Sequence, residues 1–174
     1  MRMTSDLRFF KINSEVKEPI RATEGSACFD LCSFLPNDLE VKIYYNSYNE
    51  QKKTTRKVID GEFQIYSGER VLIPTGLIFD IPTGHSVRLY PRSSIALKQG
   101  LTLANNVGII DSDYVEPVFM MVYNISDWKQ TIINGERICQ AEMLKELPYI
   151  IMETDVRPEQ KTDRKGGFGS TGKE

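Results

Sequence analysis

Three short stretches carry residue types that packing alone does not call for. "PRSSIALKQG" (Pro91 to Gly100) sets Arg92, Ser93 and Ser94 immediately ahead of a helical turn. A guanidinium, two hydroxyls and the backbone N–H groups of that turn suit an anion such as phosphate, although the same residues also make an ordinary N-cap beside a surface arginine. "ANNVGIIDSDYVEP" (Ala104 to Pro117) places Gly108 and two apolar residues ahead of Asp111, Asp113 and Tyr114. The apolar flanks are expected to shield Asp111 from water and to move its pKa toward that of a useful base. The alternative is a β-hairpin with an Asp-rich turn. "NGERICQAEM" (Asn134 to Met143) puts Arg137 and Gln140 on one strand, where the alternative is a structural salt bridge.

Other chemistries lack their parts. The single histidine, His85, follows Gly84 at the start of a strand and reads as structural or solvated rather than as a general base. There is no Cys/His pair, no GxSxG elbow, no Walker-type GxxxxGK[ST] and no GxGxxG. Cys28 and Cys32 find no second pair to enclose zinc, so these two and Cys139 are expected to be free, reduced thiols. A net charge of -2 with 40% hydrophobic residues describes an ordinary globular protein, not a basic one that coats nucleic acid, so phosphate would be bound locally. The first residues, "MRMTSDLRFFKINSEVK", spread their charges and lack a signal peptide's apolar stretch, and no segment is long enough to span a bilayer. A cytoplasmic protein is expected, in a host cytoplasm if it is viral.

The elements that must hold these residues are short. "FQIY" (Phe63 to Tyr66), "RVLIPTGLIFDI" (Arg70 to Ile81), "HSVRLYP" (His85 to Pro91), "VFMMVYNI" (Val118 to Ile125) and "YIIMET" (Tyr149 to Thr154) read as strands punctuated by Gly, Pro, Asn and Asp. Helix signals reduce to Ser94–Gly100, with hydroxyls capping the start and Gly100 ending it. This texture predicts an all-β sandwich, jelly roll or barrel. Two segments depart from it. Residues 37–57, "NDLEVKIYYNSYNEQKKTTRK", are polar and Tyr-rich, and read as an extended hairpin or surface insertion; Tyr44, Tyr45 and Tyr48 make it a candidate partner-binding flap. From about Arg157 the chain turns to Pro, charge and glycine, ending in "RKGGFGSTG" with Phe168 alone among four glycines and two hydroxyl residues. That arm is expected to be mobile when nothing is bound.

Taken together and in order, "SACFDLCS" (Ser26 to Ser33), "PRSSIALKQG", "NNVGIIDSDY" (Asn105 to Tyr114), "GERICQ" (Gly135 to Gln140) and "GGFGSTG" (Gly166 to Gly172) resemble the five motifs of the trimeric deoxyuridine triphosphate nucleotidohydrolases, the dUTPases. The resemblance implies a distorted jelly roll (β-clip) over residues 1–156 with one short helix, and a C-terminal lid arm over 157–174. It also implies a homotrimer with interface active sites and magnesium-dependent hydrolysis of dUTP to dUMP and pyrophosphate.

Each role implied by the resemblance falls on a residue suited to it. Asp111 would orient and deprotonate the water that attacks the α-phosphorus. Asn105 and the main chain of Gly108, Ile109 and Ile110 would read uracil and leave no room for a 5-methyl group. The Tyr114 ring would lie under the deoxyribose and exclude a 2′-OH. Arg92, Ser93, Ser94 and Gln140 would hold the phosphates, and Asp30 would reach Mg2+ through water. Gly169, Ser170 and Thr171 would wrap the γ-phosphate while Phe168 stacks on the base. The last motif is one residue shorter than the family's usual form, so Arg164 would reach the γ-phosphate by a different path or share that duty with Lys165. Cys28, Ser94 and Glu116 stand where the family usually has Gly, and Glu136 where it has Asp.

Two other readings compete. The related dCTP deaminases share an Arg-Ser-Ser run, but their chemistry needs a glutamate where this chain has Met121, and a thioether cannot move a proton. A regulatory module is the second: some phage relatives bind host regulators through inserts, and residues 37–57 are of that kind.

Overall fold

The computed structural model describes residues 6–163. In chain order the elements are β1 (Arg8–Lys11), β2 (Phe29–Cys32), β3 (Glu40–Ser47), β4 (Glu50–Lys57), β5 (Glu62–Ile65), β6 (Arg70–Pro74), β7 (Leu77–Asp80), β8 (His85–Pro91), α1 (Ser93–Gln99), β9 (Leu101–Leu103), β10 (Gly108–Ile110), β11 (Phe119–Asn124), β12 (Gln130–Ile133) and β13 (Arg137–Lys145). A four-stranded sheet runs β10-β8-β13-β2 and a five-stranded one β4-β3-β6-β11-β9; β1-β7 and β12-β5 are separate pairs. This is the jelly-roll-like, nearly all-β architecture that the resemblance implied, one of the three all-β arrangements left open by the spacing of apolar runs and turns. One core serves both large sheets: Leu31, Leu89 and Ala141 from the first pack in the same buried cluster as Ile43, Ile73 and Met120 from the second. Among the described residues no helix is long and apolar enough to cross a membrane.

The long run from Arg70 to Ile81 is two strands, broken at Thr75-Gly76. Thr75 Oγ1 donates to the Val118 carbonyl at 2.8 Å and accepts the Leu77 N–H at 3.1 Å. Gly76 has φ +71°, and a Cβ there would run into Val16 Cγ2 and lie 3.2 Å from the Phe34 ring. Gly76→Ala is therefore expected to destabilise the fold by about 2–5 kcal/mol, the left-handed backbone and the overpacking adding together. A urea-unfolding midpoint shifted by less than the equivalent of ~1 kcal/mol, on the scale typical of neutral surface substitutions, would count against this account.

Residues 40–57 form a hairpin closed by the two-residue turn Tyr48-Asn49, both with positive φ, the signature of a type I′ turn. Tyr48 at the tip is 98% exposed. The base is pinned: Arg56 on β4 donates to both oxygens of Glu69, at 3.0 and 2.8 Å, and to the Gln64 carbonyl at 2.6 Å. Its guanidinium also lies 4.6 Å from the centre of the Tyr66 ring.

Two elements differ from the sequence expectation. Tyr149–Thr154 is not a strand; the segment is exposed, because a strand needs a partner ladder and the described chain offers none. Its apolar residues, Tyr149, Ile150, Ile151 and Met152, all face solvent. The helix begins at Ser93 with Arg92 at the N-cap, and no side chain caps it, so the serine hydroxyls do not serve that purpose. Gly100 does end it, at φ 62°, with its N–H on the Ile95 carbonyl.

Candidate active site

Three antiparallel neighbours, β8, β13 and β2, carry one group of candidate residues to a common place. Gln140 on β13 stands opposite Asp30 on β2 and opposite Tyr90 on β8, two residues before Arg92. Asp30, Arg92, Ser93, Ser94, Arg137 and Gln140 line one cavity of about 340 Å³. Asp30, its side chain 13% exposed, accepts from Arg92 Nε on one oxygen and from Arg137 Nη1 on the other, both at 3.1 Å. Arg92 Nη1 donates to the Arg137 carbonyl at 2.9 Å, and Gln140 Nε2 to the Pro91 carbonyl at 3.1 Å. Two guanidinium groups shared by one carboxylate leave a surplus of positive charge on this wall, and the carboxylate holds both forks in place. The cavity is suited to an anion.

Arg137 completes this group: the sequence coupled it with Gln140 on one strand, with a structural salt bridge as the alternative, and the structure shows both the shared cavity and the ion pair with Asp30. In a regular strand Arg137 and Gln140, three apart, would point to opposite faces. A register shift between Arg137 and Cys139 brings them to the same cavity and buries Ile138 and Cys139 in succession. The signal was present as two adjacent apolar residues breaking an alternating pattern.

The second group sits on the β9–β10 loop, on β10 itself and in the turn after it. Asn105, Gly108, Ile109, Ile110 and Tyr114 line a slot of about 290 Å³, closed on its other side by apolar residues including Phe119 and Met121 of β11 and Leu72 of β6. Gly108 pairs with Leu89, and a Cβ at Gly108 would lie 3.1 Å from Leu89 Cβ, so a larger residue would have to push the Leu89 side chain back by a few tenths of an ångström. Tyr114 is held by its N–H on the Asp111 carbonyl at 3.1 Å and by its hydroxyl, which donates to the Pro117 carbonyl at 3.2 Å. Asn105 and Tyr114 are the polar side chains of its lining. Such a slot accepts a flat, mostly apolar ring with a few hydrogen-bonding edge atoms.

Asp111 directly follows β10 and lines neither cavity. It is exposed, contrary to the expectation that its own flanks would shield it: of the two residues before it, Ile110 turns into the core while Ile109 is itself open to solvent. The slot and the anion cavity share no lining residue. Arg164, Phe168, Gly169, Ser170 and Thr171 lie outside the described residues.

The thiols are not poised for nucleophilic work. All three are free, and burial pushes each of them up from the usual thiol range, Cys139 most strongly. Among the described residues the His85 ring has only a long contact, to the Thr83 carbonyl at 3.4 Å, and it borders neither cavity.

A dUTPase family model matches residues 58–172, which takes in the slot, the arginine-serine helix start, the β13 bulge and the C-terminal arm. The chain belongs to the dUTPase family. Among relatives, the deoxyuridine 5'-triphosphate nucleotidohydrolase of Finegoldia magna is 39% identical over 155 residues, spanning 88% of this chain and 90% of its own. That of Dinoroseobacter shibae is 35% identical over 155 residues, 89% of this chain and 87% of the relative. Among solved structures, the dUTPase from Streptococcus mutans superposes with a TM-score of 0.60 at 24% identity, over 82% of this chain and 98% of that one. The dUTPase of Staphylococcus bacteriophage 80alpha, solved with dUPNHPP, gives 0.74 at 18% identity over 97% and 99%. At these identities the structural likeness concerns the fold.

Proposed function

We propose that the protein hydrolyses dUTP to dUMP and pyrophosphate, which keeps uracil out of DNA and supplies dUMP for thymidylate synthesis. The observation that carries the reading is that Asn105, Gly108, Ile109, Ile110 and Tyr114 share one slot within a chain of this family. Uracil lies in that slot with its polar edge against the main chain, and Tyr114 lies under the deoxyribose. The triphosphate runs to the wall of Arg92, Ser93, Ser94, Arg137 and Gln140, whose surplus positive charge meets the charge of the phosphates. Asp111 accepts a proton from a water as its oxygen bonds to the α-phosphorus; the bond from that phosphorus to the bridging oxygen breaks, and pyrophosphate leaves in line. The C-terminal arm, with Phe168 on the base and Gly169, Ser170 and Thr171 on the γ-phosphate, excludes bulk water from the reaction.

The donor set suits magnesium in one way only. Among the described residues no three His, Cys, Asp or Glu side chains come together as a cage, and both Asp30 oxygens already hold guanidinium groups. A hard ion that dehydrates reluctantly and travels on a triphosphate fits such a site through water to Asp30. Bound there, Mg2+ would neutralise charge on the phosphates.

Three features support a trimer with shared sites. The slot and the anion cavity have no residue in common, Asp111 borders neither, and the exposed Tyr149–Met152 segment finds no partner within the described chain. A neighbouring subunit supplies the missing half of each site and a surface for that apolar segment. The test is to incubate the pure protein with Mg2+ and each of dUTP, dCTP and dTTP and to measure pyrophosphate. Release from dUTP far above the others is expected; none from dUTP overturns the reading.

A further inference from the structure

The slot shares a wall with a second hollow. On the outer face of the five-stranded sheet lies a space of about 260 Å³ bordered by Tyr44, Gln51, Arg70 and Val71, and both it and the slot are bounded by Leu72 and Met121. Those two residues are register partners, Met121 on β11 opposite Leu72 on β6, so a single cross-strand pair stands between the two spaces. Met121 is 40% exposed, which leaves its side chain outside the core. Its carbonyl accepts the Ala104 N–H at 2.8 Å, which fixes its backbone beside the loop that carries Asn105.

Uracil presents its hydrogen-bonding atoms, the two carbonyls and N3–H, along one side of the ring; C5 and C6 form the opposite, apolar side. If the main chain of Gly108–Ile110 satisfies the polar side, the apolar side meets the rest of the lining, which includes Phe119, Met121 and Leu72. We propose that Met121, backed by Leu72, sets how large a substituent at C5 the slot admits, and so determines the discrimination between uracil and thymine nucleotides. The inference rests on the dUTPase reading of the slot and names the group that closes it. An unbranched thioether fills irregular space well, and its loss would join the slot to the neighbouring hollow, with ample room for a methyl group.

The test is kcat/KM for dUTP and for dTTP in the wild type, Met121→Ala, Met121→Leu and Leu72→Ala. Met121→Ala is expected to raise the dTTP/dUTP ratio about tenfold or more, the lower range of what one methyl is worth in an apolar pocket, chiefly through a lower KM for dTTP. Met121→Leu, similar in volume, keeps the wild-type ratio, and Leu72→Ala shifts it in the same direction as Met121→Ala. A purely structural role for Met121 would lower both activities together and leave the ratio unchanged. A ratio unaltered in alanine variants that still hydrolyse dUTP overturns the proposal alone; a wild type that turns over no dUTP overturns the functional reading and this inference with it.

Discussion

Asp111→Asn lowers kcat for dUTP hydrolysis by about 10²–10⁴-fold, the span expected when a positioned general base is removed, and leaves KM nearly unchanged. The split follows from where the residue sits. The amide is isosteric with the carboxylate, and Asp111 borders neither the slot nor the anion cavity of its own chain, so the substitution is expected to spare the grip on base and phosphates and to remove the acceptor for the water's proton. Asp113→Asn is the internal control: it changes an exposed carboxylate of the same turn, and its kcat should stay within about threefold of wild type, as for a surface change away from the reacting atoms. Pyrophosphate release under saturating dUTP distinguishes the two. Wild-type turnover by Asp111→Asn would assign the base elsewhere. Any partner binding through residues 37–57 should survive the substitution, since the hairpin is pinned by Arg56 and Glu69, not by the site.

The exposure of Asp111 gives its chemistry a condition. A carboxylate open to bulk water competes with solvent for the proton and for the attacking molecule, and electrostatic positioning is worth most where water is kept out. Neither of the preceding isoleucines shields it: Ile110 is committed to the core, Ile109 to the surface. The drying must come from the substrate, a neighbouring chain or the arm. On the proposed trimer, a site with all its residue types present would be completed only when a neighbouring subunit and the substrate close over it.

What the sequence made legible divides in the same way between local and assembled structure. Alternation named the central strands because period-two burial is a local property: β8 was bounded at His85 and Pro91, and β11 fell within Val118–Ile125, whereas the short β1, β2, β9 and β12 gave no such signal. The break at Gly76 was hidden because "PTG" reads equally as a turn or as an interruption of one long strand; the crowding of Val16 and Phe34 around it is tertiary. Arg137 was visible as a charge, but its place beside Gln140 depended on a bulge that shifts register by one residue. Tyr149–Thr154 has the composition of a strand and none of the pairing, because pairing is decided by what lies alongside. Its apolar side chains, left in solvent, and the separation of slot from anion cavity are both what the proposed trimer would account for.

That trimer can be tested by mixing two broken proteins. One carries Asp111→Asn, which damages the slot side of every site its slot joins; the other carries Gln140→Ala with Ser94→Ala, which strips the anion cavity while leaving the Asp30–Arg92–Arg137 triad intact. Each homotrimer should be nearly inactive. If a site takes its slot and Asp111 from one subunit and its anion cavity from the next, random reassembly of equal amounts makes about one site in four wholly native, since each half is independently sound with a chance of one half in a symmetric ring. Unfolding the two together, refolding them and measuring pyrophosphate release should therefore recover about a quarter of wild-type activity per chain, with the KM of the wild type. If both halves came from the same subunit, no mixture could build a native site and the refolded pair would remain as inactive as its parents. The measurement is insensitive to modest losses of stability, because a variant that merely folds poorly would lower the recovered fraction but could not create activity absent from both parents.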